Sequence, residues 1–161
     1  LGSFVFLWGQ KQERTPTWYG LFLEDGQETE MVDMMHFLWN NEWPENRSPQ
    51  LKGFRMNEQT AFASVQLKQN QTCKAKVLAS DPDADTLSYK WSILKEVPLE
   101  HQSTGGDFEP LSDQVLEFDY GQQGNELVFS APEIGEYRLF IYVTDNKGHA
   151  ATANIPFLVS N

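Results

Sequence analysis

The sequence is poor in cysteine: its 161 residues include one, Cys73. A single thiol can form neither an internal disulfide nor a cysteine-based zinc cluster. We predict that Cys73 is a small buried side chain in a strand rather than a reactive thiol. The cysteine content therefore does not indicate a redox compartment.

The sequence also lacks long apolar runs and an excess of basic charge. No run approaches the ~18 apolar residues of a membrane-spanning helix. Twelve Lys and Arg stand against 23 Asp and Glu, for a net charge of −11. Without a basic patch, neither nucleic acid nor an anionic membrane surface is an expected partner. An acidic surface suits neutral ligands such as sugars, or cations.

Motifs of the common enzyme classes are missing as well. The three histidines, His36, His101 and His149, are scattered and show no HExxH spacing. There is no GxSxG elbow, P-loop or GxGxxG pattern. Glu13 lies in KQER between basic residues, which favours a solvated ion pair over a general acid or base. The sequence predicts no catalytic residue and requires no cofactor.

The larger part of the chain, residues 46–161, has the pattern of an antiparallel β-sandwich. Short strands alternate with turn signals, as in all-β folds. Trp91 is the expected core tryptophan, and Asn146 and Gly148 suit a hairpin turn. A long polar loop is predicted over 98–113. The predicted strands are 50–57, 63–67, 72–79, 87–95, 114–119, 126–130, 136–144 and 149–159.

The first 45 residues have a different pattern. Phe4–Trp8 is an apolar run without alternation, which predicts a strand buried on both faces, as in a parallel sheet. A polar loop, Gln10–Trp18, follows. A helix is predicted from the N-cap Thr29 to Asn40 or Asn41. An isolated strand of this kind would expose its phenylalanines, so we expect it to be covered by the helix, by the sandwich, or by a second copy in a homodimer.

The stretch SDPDADTLSYKW (Ser80–Trp91), the later GEYRLFIYVTDNKGHAATANIPFLV (Gly135–Val159) and NRSP (Asn46–Pro49) resemble PKD-type and cadherin-like Ig domains. The resemblance implies an Ig-like antiparallel sandwich over residues 46–161. Such domains serve as spacers, binding modules and adhesion units. One departure is Ala84, where the family commonly has glycine.

Residues 1–45 resemble the last β/α unit of a clan-A, family 2-like TIM-barrel glycoside hydrolase. The resemblance implies one strand and one helix of a truncated barrel. The catalytic carboxylates would then lie upstream, in a barrel that this chain accompanies, and the chain would begin inside a longer, secreted or periplasmic protein. The matching elements are Phe4–Trp8, Gln10–Trp18, Gly20-Leu21-Phe22, Glu24–Gly26 and Thr29–Trp39.

A sugar-binding site is predicted near the start of the chain, because the tryptophan at the end of the last barrel strand forms the floor of the sugar site in such enzymes. Aromatic faces stack on pyranose rings, and amides and amines pair with hydroxyl groups. The alternative is that these aromatics are core or interface residues. The predicted site residues are Trp8, Gln10, Lys11, Gln12 and Trp18.

Two functions follow. The chain is the non-catalytic, C-terminal accessory portion of a polysaccharide-degrading glycoside hydrolase, or it is a carbohydrate-binding, adhesion or spacer module. In either case a polysaccharide or oligosaccharide is the expected ligand. Trp39 and Trp43 are expected to pack the helix against the sandwich. The alternative is that they are exposed and form a flat carbohydrate-binding platform.

Closely spaced aspartates suggest a calcium site. Asp81, Asp83 and Asp85, with Asp145 across the fold, offer the carboxylate oxygens that calcium prefers. The alternative is a turn in which the aspartates accept local backbone N–H groups.

Overall fold

The computed structural model describes residues 2–101 and 110–161, without the side chain of Leu99. Part of the predicted 98–113 loop therefore lies outside the described residues. The described chain is mainly β, with one α-helix, α1 (Glu30–Asn40), and short 3-10 helices at Ala61–Ala63 and Leu99–His101. The strands are β1 (Gln10–Glu13), β2 (Thr15–Gly20), β3 (Glu28–Thr29), β4 (Gln50–Met56), β5 (Val65–Lys68), β6 (Thr72–Ser80), β7 (Ser88–Lys95), β8 (Gln114–Gln123), β9 (Glu126–Ser130), β10 (Gly135–Thr144) and β11 (His149–Ser160).

Strands β4 to β11 form the two sheets of a sandwich. The first sheet has the antiparallel order β4-β6-β9. The second has the order β11-β10-β7-β8, with β5 added parallel to β11 at the edge. The chain starts in the first sheet with β4, crosses to the second for β5 and returns for β6. It then enters the second sheet for β7 and β8, returns to the first for β9, and ends in the second with β10 and β11, which is an Ig-like arrangement.

All eight strands predicted for residues 46–161 are present, and the Ig-like fold class is confirmed. The observed strand ends lie close to the predicted ones. The largest difference is in β8, which ends at Gln123 instead of residue 119. The hairpin turn between β10 and β11 has positive φ at Asn146 and Gly148, as the sequence predicts. Local alternation and turn residues were sufficient here because each strand has one face in the core.

The core lies between the two sheets. Trp91 is fully buried, and its Nε1–H donates to the carbonyl of Gly124 at 3.0 Å. Cys73 is also buried, as predicted, and burial raises the pKa of its thiol. The alternate residues of β10 that point inward are Tyr137, Leu139, Ile141 and Val143.

Tyr137 closes the corner that leads into β10. Its hydroxyl donates to the carbonyl of Glu133 at 2.8 Å. A Cβ atom on Gly135 would lie 3.3 Å from the Tyr137 ring, so glycine leaves room for the phenol. A tyrosine that bonds back to the preceding corner in this way is a hallmark of Ig-like sandwiches.

The strand predicted at Phe4–Trp8 is wrong. Within the part of the chain that the structure describes, these residues pair with no strand, and the side chains of Phe4 and Phe6 are 98% and 91% exposed. Strand β1 and most of β2 lie instead within the stretch predicted as a polar loop, and the two strands pair with each other. A continuous apolar run is a buried strand only where neighbouring strands and layers cover it, and the described residues leave Phe4 and Phe6 open to solvent.

The predicted cover of this run by the helix or the sandwich is therefore also wrong for Phe4 and Phe6. Cover by a second copy of the chain stays a prediction.

The hairpin that replaces the predicted strand closes tightly: a Cβ atom on Gly20 would lie 2.2 Å from the carbonyl oxygen of Gly9. Only glycine fits at that position.

Residues 10–29 form a third layer on the outer face of the second sheet. Phe140 points away from the core, since Leu139 and Ile141 point into it, yet Phe140 is buried. Leu21 and Leu23 are buried too and lie outside the core cluster. The layer is tied to the sheet by β3, which pairs in parallel with the start of β11.

Helix α1 agrees with the sequence prediction. It begins after Thr29, whose hydroxyl makes no capping bond and donates instead to the carbonyl of Leu21 at 2.8 Å. It ends at Asn40, and the next residue, Asn41, adopts a left-handed conformation and donates its N–H to the carbonyl of Phe37. Asp33, in the first turn, is buried and accepts the N–H of Ser48 at 2.7 Å. This bond joins the helix to the segment that enters β4. Within the described residues, α1 is too short and too polar to cross a bilayer.

Candidate functional site

Two exposed tryptophans stack on each other at the start of the chain. The rings of Trp8 and Trp39 lie 6.1 Å apart with an interplanar angle of 26°. Phe22 contacts the edge of Trp8, and the Nε1–H of Trp39 donates to the Ser3 hydroxyl at 2.9 Å. The two indoles are nevertheless 56% and 50% exposed. We call Trp8 and Trp39 the indole platform.

Among the described rings, Trp39 has no partner in the sandwich, and its predicted packing there stays a prediction. Its partner is Trp8, 31 positions earlier in the sequence. Trp43 stacks on Phe37 of the helix at 4.5 Å and lies under the guanidinium of Arg47 at 4.0 Å. Trp43 therefore joins the helix to the linker, and it is 40% exposed.

Trp18, on β2, is 60% exposed and stacks on Tyr19 at 5.5 Å. Among the described rings, Trp8 contacts Phe22 and Trp39, and shares no contact with Trp18. The two predicted sugar-binding tryptophans are thus both accessible, but each has its own aromatic support.

The polar residues of the predicted sugar site serve different roles. Gln10 donates its side-chain amide to the carbonyl of Pro16 at 3.1 Å and so braces the hairpin. Lys11 pairs with Glu13 at 3.3 Å, which confirms the ion pair predicted for Glu13. Gln12 lines a groove against the second sheet. The sequence favoured packing of Trp39 over its alternative role in an exposed platform, because its position in the helix gives no sign of the distant partner.

Three of the four predicted calcium ligands come together. Carboxylate oxygens of Asp81, Asp83 and Asp85 all lie within 4.8 Å of one another. Asp81 Oδ1 accepts the N–H groups of Asp83 and Asp85 at 2.9 and 3.0 Å, as in the alternative turn. Asp81 Oδ2 and Asp85 Oδ2 are buried and have no hydrogen-bond partner within the described chain. Ala84 has φ of 63°, a left-handed conformation that favours the glycine of the family pattern.

Asp145 does not join this cluster. It is 2% exposed and accepts three hydrogen bonds, from the Asn46 amide at 2.6 Å and from the N–H groups of Lys147 and His149 at 2.7 and 3.0 Å. Burial raises the pKa of its carboxyl, but these hydrogen bonds outweigh burial and hold the pKa below its ordinary value. Asp145 therefore ties the linker to the β10–β11 hairpin.

The acidic turn also holds the linker. Asp83 Oδ2 accepts the N–H of Arg47 at 2.7 Å, and the Lys147 ammonium pairs with Asp85. The carboxylates thus already have structural partners on two neighbouring segments. A cation bound by the free oxygens of Asp81 and Asp85 would add to this connection.

No protein-family model matches the chain, and no curated protein matches it in sequence. Solved structures that are similar to it include the PKD1 domain of Vibrio anguillarum Epp, at 19% identity, with 72% of this chain and 98% of that chain covered and a TM-score of 0.41. The two-domain DIP-gamma IG1+IG2 structure matches at 11% identity over 72% of this chain and 50% of that one, with a TM-score of 0.40. The soluble domain of PmoD from Methylocystis sp. matches at 12% identity over 74% and 95%, with a TM-score of 0.36. Similarity at this level assigns no family to the chain.

Proposed function

We propose that this chain is a non-catalytic carbohydrate-binding module of a secreted or periplasmic protein, and that the indole platform is its sugar-binding surface. The observation that carries the proposal is the stacked Trp8–Trp39 pair, half exposed although the Phe22 ring and the Ser3 hydroxyl position it. Rigid, accessible aromatic faces are what the apolar faces of sugar rings require.

Charge supports a neutral ligand. The chain carries a net charge of −11, which repels anionic polysaccharides. Lys11 is near the platform in sequence but is paired with Glu13. A neutral glycan meets no such repulsion. Stacking on Trp8, Trp39 and Trp18 would then be the main source of affinity.

The test is binding to a panel of neutral soluble polysaccharides, by affinity electrophoresis followed by calorimetry on those that retard the protein. We expect Trp8→Ala and Trp39→Ala each to weaken binding about tenfold, because loss of one aromatic stacking contact costs about 1.4 kcal/mol. Trp43→Ala is the matched control, since Trp43 is similarly exposed but stacks on Phe37. It should bind as the unaltered protein does.

Retardation on no glycan, or unchanged affinity in both platform variants, would contradict the proposal. The first result would leave an adhesion or spacer role. The finer prediction, that the chain is the C-terminal portion of a glycoside hydrolase, comes from the sequence resemblance alone. An upstream region of alternating strands and helices with two strand-end glutamates would support it, and its absence from the whole gene product would refute it.

Calcium binding at the acidic turn is a second part of the proposal, supported by the free buried oxygens of Asp81 and Asp85. Calcium at 100 times its dissociation constant should stabilise the fold by about 2.7 kcal/mol. A thermal melt in calcium, compared with magnesium, measures this. Asp81→Asn should abolish the shift, whereas Asp113→Asn, an exposed carboxylate outside the cluster, should retain it. Equal melting temperatures with and without calcium would exclude the site.

A further inference from the structure

A groove of about 460 Å³ separates the N-terminal layer from the outer face of the second sheet. This volume is in the range of small-molecule sites. One wall carries Tyr120 of β8 and Tyr142 of β10, and the other is the turn that contains Glu24 and Asp25. Apart from Gln12, none of its residues is predicted to be functional by the sequence.

The charges in the groove are unbalanced. Its described lining includes three carboxylates, Glu24, Asp25 and Glu117, and one cationic side chain, Lys90. The ammonium of Lys90 lies 3.2 Å from Glu117 and 3.9 Å from Asp119, so it is engaged on the β8 side. On the opposite rim, Glu24 and Asp25 form no ion pair within the described chain.

The rim is held in a defined position by Gln27. The buried hydroxyl of Thr144 donates to Gln27 Oε1 at 2.6 Å. Gln27 Nε2 in turn lies 2.7 Å from Asp25 Oδ2 and 3.3 Å from the Tyr120 hydroxyl. One amide therefore positions a carboxylate and an aromatic ring on the two sides of the groove. A ligand would find these groups already arranged, which lowers the entropic cost of binding.

Two hydroxyl groups in the groove have no partner in the described chain. Ser92 lines the groove, is 4% exposed and forms no side-chain hydrogen bond there. The Tyr142 hydroxyl is also unbonded. Burial, then the charges of neighbouring Tyr120, Glu117, Glu24 and Asp25, raise the pKa of Tyr142 above its ordinary value. With three carboxylates against one ammonium in its described lining, the groove carries a net negative charge.

We propose that this groove binds a small organic cation that carries a primary ammonium group. The ammonium would pair with Glu24 and Asp25, and the faces of Tyr120 and Tyr142 would add cation–π attraction. Ser92 and Tyr142 offer hydroxyl oxygens to further N–H groups of the ligand. The site is separate from the indole platform and does not depend on sugar binding.

The test is calorimetric titration at pH 7 with 1,5-diaminopentane and with its neutral counterpart, 1,5-pentanediol. We expect the diamine to bind at least about tenfold more tightly than the diol, since only the ammonium gains charge-assisted hydrogen bonds. Glu24→Gln and Asp25→Asn should each weaken diamine binding about three- to tenfold. Glu133→Gln makes the same charge change outside the groove and should leave affinity within about twofold.

Three results would overturn the proposal: no binding of the diamine, equal binding of diamine and diol, or equal weakening by Glu24→Gln and Glu133→Gln. The last would show that net charge alone attracts the amine. Trp8→Ala should bind the diamine unchanged, so failure of the sugar-binding proposal and failure of this one give different results. Lys-containing peptides, titrated in parallel, distinguish a free amine from a lysine side chain as the source of the ammonium group.

Discussion

Replacing Trp91 with alanine should lower the free energy of unfolding by about 4 kcal/mol, the range measured for buried tryptophan and phenylalanine truncations. Trp91 is fully buried at the centre of the second sheet, between Ile141 of β10 and Phe118 of β8. Its ring also contacts Phe54 of the first sheet at 5.9 Å. Truncation would open a cavity that spans both sheets.

Urea unfolding followed by far-ultraviolet circular dichroism measures this change without using tryptophan fluorescence. Trp91→Phe is the matched variant. It retains most of the packing but leaves the carbonyl of Gly124 without its indole donor, so we expect a loss of about 1–2 kcal/mol. An alanine variant within about 1 kcal/mol of the unaltered protein would show that the core does not depend on Trp91.

Replacing Asp145 with alanine should lower the free energy of unfolding by about 3 kcal/mol. The substitution removes the charged acceptor of three donors: the buried N–H groups of Lys147 and His149 and the amide of Asn46. Asp145→Asn separates the contribution of the negative charge from that of the hydrogen bonds. Both backbone donors bond Oδ1, which asparagine retains, and Asn46 can rotate its amide to accept from the new NH₂ group. We expect this variant to lose only about 1 kcal/mol.

The effect of Asp145 depends on pH with a defined sign. Its carboxyl has a pKa below the ordinary value of 3.8 in the folded state. The stability that the charge contributes is therefore fully present above the unfolded-state pKa and is lost as pH falls through the folded-state pKa. The difference in unfolding free energy between Asp145→Asn and the unaltered protein should hold at pH 7 and shrink below about pH 4. A difference that grows in acid would contradict the assignment.

The sandwich could be predicted because its signals are local. Each strand of residues 46–161 alternates between core and surface, and turn residues such as Asn146 and Gly148 lie between the strands. The C-terminal end of helix α1 was predictable for the same reason, since Asn41 adopts its left-handed conformation and bonds Phe37 one turn back. The grouping of Asp81, Asp83 and Asp85 also follows from spacing in a single turn.

The first 20 residues show where local pattern is insufficient. An apolar run such as Phe4–Trp8 has the same sequence pattern whether other layers cover it or it lies open to solvent. Only the tertiary structure shows which of the two holds: β1 and β2 pair with each other, and Phe4 and Phe6 remain exposed. The polar residues 10–20 form these strands because the two strands of a hairpin satisfy each other's backbone hydrogen-bonding groups.

By itself, then, the sequence determined that the chain is an acidic Ig-like sandwich with one preceding helix, because periodicity and turn chemistry act between near neighbours. The tertiary structure alone decided which distant groups meet: Trp8 with Trp39, Asp145 with Asn46, and Glu24 and Asp25 with Tyr120 and Tyr142 across the groove. These pairings depend on how the layers pack, and residues far apart in sequence carry no local sign of the partner that packing will bring to them.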